Sequence, residues 1–401
     1  MSTLLETQGG THVPKKSKQE RHLAVQRFLA GETAGEICLS LKRSPRWLYK
    51  WVARNRSGDP QWSEEKSRRP QTQPRRTPFD VEQAVRLVRL DLYNHGLFCG
   101  AQAIRWELED WGVEPLPSLR TINRILRRKD LTHRRTGRYE PTGKKYPRLE
   151  ATSANHVHQA DFLGPCYLQG PIRFYSLNTV DLATGRCGLE PLIYRSAQPT
   201  IDAFWAIWRR LGFPEHLQVD NEMTFYGSPA YPRGMGMLIR LGLHYGIEVW
   251  FIPPREPWRN GVVEKFNDHY RQKFLRRVTM TSAEAIRHES LRFEHRHNRE
   301  YRYSKLKGRT PMQALAMSPK PLRFPIEEQA PRHPLPKPES GRYHLVRFIR
   351  SDATLDVFGE KFAVPYELVY EYVTATIDVK EQKLKLYLDK VQVDEIDYKL
   401  F

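Results

Sequence analysis

Apolar positions recur three and four residues apart through "KQERHLAVQRFLAGETAGEICLSLKRSPRWLYKWVARN", and this spacing predicts three short helices. The first runs through Leu29, the second covers Thr33 to Leu41, and the third opens at Ser44. Serine can cap that start, and Pro45 fits the first helical position. On the third helix Trp47, Leu48 and Trp51 share one face, while Arg43, Arg46, Lys50 and Arg54 lie on or beside the other. This is the layout of a helix-turn-helix whose last helix enters the major groove, and it bounds a module at 15–57.

A tract poor in apolar residues, "SEEKSRRPQTQPRRTP", marks a linker over 58–78. The helical pattern then returns as "FDVEQAVRLVRLDLYNHG", "AQAIRWELEDWG" and "PSLRTINRILRRKDL". In the last of these Ile122, Ile125 and Leu126 face inward and leave Arg120, Arg124, Arg127 and Arg128 free, so 79–132 reads as a second helix-turn-helix. A basic connector, 133–150, follows.

From His156 the period shortens to two. "HVHQADFLG", "RFYSLNTVDLATG" and "RCGLEPLIY" predict an antiparallel meander broken at Gly and Pro. A helix in "TIDAFWAIWRRLG", a strand "HLQVD", a helix within "YPRGMGMLIRLGLHYG" and a strand "IEVWFI" come next, then helices over Gly261 to Arg277 and Ser282 to Asn298. Strands followed by alternating helices and strands predict an α/β domain at 151–318, its mixed sheet covered on both sides. The proline-dense 319–341 reads as an extended connector, and the short alternating strands of 342–401 as a small β-barrel.

Charge adds a partner to this outline. The chain carries a formal net charge of +19, with 30 basic against 17 acidic residues in 1–150, 24 against 17 in 151–330, and 11 against 12 beyond. Such a front half suits a polyanion, nucleic acid is the obvious one, and the helix-turn-helix layout makes double-stranded DNA the expected partner. Cys38, Cys99, Cys166 and Cys187 show no paired zinc-binding spacing and fit a reducing cytoplasm. No apolar run is long enough for a bilayer and no signal peptide is visible, so a soluble protein of the cytoplasm, not associated with a membrane, is expected.

Three acids stand where an ordered element meets a loop or a helix start: Asp161 after "HVHQA", Asp220 after "HLQV", and Glu264 behind "PWRNGVV". Carboxylates from two neighbouring strands and one helix can converge, and hard oxygen donors suit a pair of divalent ions working on a phosphodiester. Asp181, Glu222, Glu256 and Asp268 are the rival acids, with Asp181 read as the cap of its own turn. Lys265 and Arg271, on the helix that Glu264 opens, could reach phosphates.

"HQADFLG", "LQVDNEMTFYG" and "PPREPWRNGVVEKFN" resemble the three blocks of the DDE transposases of bacterial insertion sequences and the retroviral-type integrases. "HNREYRYSKLKGRTPMQAL" resembles the helix and L-x-G-x-T-P tail that follow in the insertion-sequence members. The resemblance implies an RNase H-like core in which Asp161, Asp220 and Glu264 bind two Mg²⁺ ions, with Mn²⁺ able to replace them. Glu222 departs from the family's usual glycine, and the 44 positions from Asp220 to Glu264 exceed the usual interval.

What the resemblance implies is a transposase that first cuts DNA to release a 3′ hydroxyl and then drives that hydroxyl into target DNA. It would work as a homo-oligomer on DNA, with room for a helper ATPase. The rival is a DNA-binding regulator that keeps the carboxylates without their activity. A third reading, a nuclease of RNA–DNA hybrids, leaves the paired helix-turn-helix units without a purpose.

Overall fold

The computed structural model describes residues 15–65, 77–132, 145–169, 172–331 and 333–401. Most of the expected linker and most of the basic connector lie outside the described residues. Two compact units emerge, residues 1–76 and 77–401.

In the first unit α1 (Lys15–Leu29), α2 (Ala34–Leu41) and α3 (Pro45–Arg56) enclose Ala24, Val25, Ile37, Cys38, Leu48, Trp51 and Val52. Thr33 and Glu36 form a reciprocal capping box on α2, and Ser44 caps α3 ahead of Pro45. Each such cap contributes about 1 kcal/mol. The module runs past its expected end at residue 57. Ser63 is buried, and its carbonyl accepts a hydrogen bond from the buried Arg21.

The second unit opens with α4 (Phe79–Asn94), α5 (Ala101–Asp110) and α6 (Leu119–Arg128), packed around Val85, Val88, Leu92, Ile104, Leu108, Ile122, Ile125 and Leu126. It continues through β1 (Val157–Tyr167), β2 (Arg173–Asp181), β3 (Cys187–Leu192), α7 (Ala197–Leu211), β4 (His216–Val219), α8 (Met223–Tyr226), α9 (Met237–His244) and β5 (Glu248–Phe251). Then come α10 (Gly261–Tyr270), with a π-turn over Arg271–Leu275, α11 (Ala283–Glu300) and α12 (Pro311–Ala316). The tail adds β6 (Arg342–Phe348), β7 (Thr354–Val357), β8 (Glu360–Ala363), β9 (Tyr372–Asp378), β10 (Lys383–Leu388) and β11 (Val391–Asp397).

The meander forms as expected, β1 pairing antiparallel with β2 and β2 with β3. On the other side β1, β4, β5 and β6 run parallel. One apolar cluster holds Phe204 and Trp208 of α7 with Leu238 and Leu241 of α9, and a separate one holds Val263, Phe266 and Tyr270 of α10 with Phe293 of α11. Helices therefore cover both faces of the mixed sheet.

The tail corrects an expectation: a separate small β-barrel is not confirmed. Its strands extend the core sheet, giving nine strands in the order β11-β10-β9-β6-β5-β4-β1-β2-β3, with β7 and β8 paired apart as a hairpin. The alternation in "RYHLVRF" specifies a strand with one buried face, but not which sheet supplies its partner. Tyr343 and Leu345 are fully buried against the core beside β5. The proline-dense connector is likewise no free spacer, since Leu335 is buried and the Phe213 amide donates to the Arg323 carbonyl.

The second three-helix module is seated on the core. The Phe98 ring lies edge-on to His269, Tyr301 and Tyr303, with centroids 4.8, 4.9 and 5.2 Å away. The Tyr301 hydroxyl donates to the Gly96 carbonyl at 2.6 Å, and Arg302 pairs with Asp110.

Candidate active site

The parallel register of β1 and β4 pairs Gln159 with Gln218. The pairing ends there, and Asp161 and Asp220 each lie two residues further along their own segment. Within β1 the period of two puts Asp161 on the same sheet face as Gln159. That face also receives the start of α10. Gln159 Oε1 accepts from the amides of Val262 and Val263 at 3.1 and 3.3 Å, satisfying two of the helix's otherwise unpaired donors.

Further clamps fix the same junction. Asn260 donates to the Ala160 carbonyl at 2.9 Å, and Gln218 to the Arg259 carbonyl at 3.0 Å. Glu264 follows Val263 directly, in the first turn of α10. One turn on, Asn267 donates to Asp161 Oδ2 at 2.8 Å, while its own oxygen accepts from Asn178 of β2 at 2.7 Å. Asn178 in turn accepts from Ser176 at 2.6 Å, which completes a buried relay behind Asp161.

The electrostatics link the three acids. Burial pushes the Asp161 carboxyl up to about 7, and the charges of Asp220, Glu264 and Glu222 push it the same way. Burial also raises Glu264, helped by Asp268 and Asp220. Asp220 is raised by burial against the opposing pull of the Glu222 amide and of Arg195. Mutually repelling, partly buried carboxylates are the donor set that hard divalent cations relieve. Among the described residues, no three His, Cys, Asp or Glu side chains are gathered tightly enough to ligate a single ion. A pair of ions makes a smaller demand, because each needs only a few carboxylates and completes its shell with water and phosphate oxygens.

Two of the rival acids, Asp181 and Glu256, are engaged elsewhere. Asp181 caps its own turn, accepting from the amides of Ala183 and Thr184 at 3.2 and 3.3 Å. Glu256 binds Arg259 at 2.9 Å and accepts from the Tyr372 hydroxyl at 2.8 Å. Asp268 is exposed. Glu222, standing where the resemblance expects glycine, has φ −78° and ψ 137°, an ordinary extended conformation that requires no glycine. Its carboxylate pairs with Arg195 at 2.9 Å, so a cation accompanies the fourth acid.

The residues expected to touch DNA divide by their present engagements. Arg43 is paired with Glu20 at 2.8 Å, Arg54 donates to the Glu64 carbonyl at 3.0 Å, and Lys50 lies over Trp51 at 4.6 Å. Arg46 is exposed. On α6 Arg120, Arg124 and Arg127 are exposed, while Arg128 pairs with the buried Glu82 at 2.5 Å. Lys265 and Arg271 are exposed beside Glu264's helix. Sequence reasoning passed over Gln159, Asn178, Arg195 and Asn267. Asn267 carried the one available signal, its position three residues beyond Glu264 and so on a shared helix face.

The L-x-G-x-T-P stretch has a structural explanation. Thr310 caps α12 in a capping box with Gln313, and Pro311 takes the first helical position. Gly308 has φ +83°, and a Cβ there would stand 2.6 Å from the Trp106 ring.

Comparison with known proteins adds two matches. A model of the integrase core domain matches residues 245–311, which include Glu264, and a model of a homeodomain-like domain matches residues 15–63. No curated protein matches the chain. Among solved structures it is similar to the HTLV-2 integrase catalytic core domain in complex with magnesium, in its trimeric form. That likeness has 19% identity over 41% of this chain and 99% of that one, with a TM-score of 0.33. It is also similar to the simian T-cell lymphotropic virus intasome in complex with PP2A regulatory subunit B56 gamma, with 15% identity over 79% and 97% of the two chains and a TM-score of 0.36. Residues 245–311 are thus similar to an integrase core domain and residues 15–63 to a homeodomain-like domain. Among the described residues no helix is long and apolar enough to cross a membrane.

Proposed function

We propose that the chain is a DNA transposase that cleaves the 3′ ends of a mobile element and transfers them to target DNA, with Asp161, Asp220 and Glu264 holding two Mg²⁺ ions. The observation that carries this reading is the clamp of Gln159, two residues before Asp161 and paired with Gln218 two residues before Asp220, on the start of Glu264's helix. Bound magnesium would activate the attacking oxygen and neutralise the departing one.

The chain's own part is to hold and orient. Asn267 fixes one oxygen of Asp161 and so sets the orientation of the carboxylate. Lys265 and Arg271 offer exposed cations to the DNA backbone next to the carboxylates. The homeodomain-like match supports duplex DNA as the partner of α3, and the arginines of α6 offer a second contact surface. Joining two element ends requires at least two copies of the chain on DNA.

The inactive regulator has one observation on its side. Arg195 already offsets the charge beside Asp220, which lessens the site's demand for metal. Duplexes carrying the DNA ends that flank the gene separate the two readings. The transposase nicks them with Mg²⁺ and loses this in Asp161→Asn; the regulator binds them and does not nick them, whatever metal is added.

A further inference from the structure

We infer that the C-terminal strands belong to the catalytic centre, with Arg347 of β6 and Tyr372 of β9 acting as positioning residues for the two loops that carry Asp220 and Glu264. The inference rests on the proposed role of those two acids, but the contacts stand by themselves.

Arg347 is 4% exposed. Its guanidinium donates to Asn221 Oδ1 at 2.9 Å, to the Ile252 carbonyl at 3.2 Å, to the Asp356 carbonyl at 2.9 Å and to the Val346 carbonyl at 3.0 Å. Asn221 follows Asp220 directly, and its amide donates to the same Ile252 carbonyl. A buried cation with no carboxylate bonded to it is costly unless every donor is used. Here that demand fixes the turn after Asp220 between β4 and the end of β5.

Tyr372 grips the other loop. Its hydroxyl donates to Glu256 at 2.8 Å and accepts from Arg259 at 3.1 Å, and the Arg259 guanidinium lies 3.9 Å over the Tyr146 ring. The carbonyl of this same Arg259 receives Gln218, and the next residue, Asn260, is bound to β1. The loop is therefore held from the tail on one side and from the core strands on the other, four residues before Glu264.

The long interval between Asp220 and Glu264 serves the same docking. Its extra residues fold back where a Cβ on Gly236 would lie 2.3 Å from the Tyr226 backbone. Tyr226 stacks on Phe358 at 4.5 Å, Arg233 pairs with Glu360 at 2.6 Å, and the Tyr398 hydroxyl donates to the Pro232 carbonyl at 3.2 Å. The insertion is a seat for the tail.

The test uses the full chain and four variants: Asn221→Ala, Arg347→Lys, Tyr372→Phe and, as a control, Arg342→Ala. The control loses an ion pair inside the tail, at 3.2 Å to Asp378, and touches neither loop. Amide hydrogen exchange is read on metal-free protein. Asn221→Ala and Arg347→Lys should speed exchange in 219–226 about tenfold, and Tyr372→Phe should do so in 252–262, with the control unchanged in both. Cleavage of flanking-end duplexes by the three loop variants should need a severalfold higher Mg²⁺ concentration for half-maximal rate, with DNA affinity unchanged. Exchange in both segments equal to wild type in Asn221→Ala and Tyr372→Phe overturns the inference, whatever Arg347→Lys does to folding. Unchanged magnesium dependence in variants whose loops have loosened also overturns it. A wild-type chain that never cleaves, yet shows the loop-specific exchange, contradicts the transposase reading and leaves the anchoring of the loops established.

Discussion

Asn267 donates to Asp161 Oδ2 at 2.8 Å across the junction of α10 and β1, and so ties the helix that carries Glu264 to the strand that carries the first aspartate. The contact orients a carboxylate of the proposed metal site, and it is also where like charges would otherwise push the two elements apart.

Asn267→Ala should therefore lower the rate of metal-dependent cleavage by on the order of tenfold, the worth of one hydrogen bond to a charged group. Asn267→Asp should do more damage, because it adds a charge where burial and three other acids already raise Asp161. Single-turnover cleavage at saturating DNA, with thermal melting as the control for folding, checks both.

Gly308 is expected to tolerate no side chain. Its φ of +83° disfavours other residues, and the Trp106 ring occupies the space a Cβ would take. Gly308→Ala should cost about 1–3 kcal/mol of stability and loosen the seat of α5 on the core. Urea unfolding gives the first quantity, and proteolysis between α6 and β1 reports the second.

His297 is fully buried between Cys187 and Tyr303, and burial holds it down to about 3. It is neutral in the fold, whereas in the unfolded chain it takes up a proton as pH falls through about 6.5. Its contribution to stability is whole above that value and is lost as pH falls toward the folded one. Replacing it with asparagine removes this loss, so the stability gap between wild type and His297→Asn should narrow from pH 7 to pH 4. Melting temperatures at a series of pH values test the sign.

On α6 the arginines should differ in what they give to DNA. Arg124 is exposed, so Arg124→Ala should reduce the slope of log affinity against log salt by about 1. Arg128 must first leave Glu82 at 2.5 Å, and Arg128→Ala should change the slope less. Fluorescence anisotropy over a salt series measures both.

The parts of this molecule that the sequence discloses are those written in local periodicity. Ser44 with Pro45, Thr33 with Glu36, and the apolar alternation of β1 to β5 each fix an element from within a few neighbouring residues. Asp220 and Glu264 could be singled out because one follows a strand end and the other lies in the first turn of a helix, whereas Asp161, expected at a strand end, lies inside β1. What stayed hidden depends on partners distant in the chain. Nothing in "RYHLVRF" shows that β6 pairs with β5, or that Arg347 spends its donors on the neighbour of Asp220. Nor does the departure from glycine at Glu222 show its extended backbone or its pairing with Arg195.

The most direct measurement is anomalous scattering from crystals of the chain soaked in Mn²⁺. Two peaks are expected, one shared by Asp161 and Asp220 and the other held by Asp161 with Glu264, and both should vanish in Asp161→Asn. A manganese ion held by Asp161, Asp220 and Glu222, with the Glu264 carboxylate turned away, would contradict the assignment.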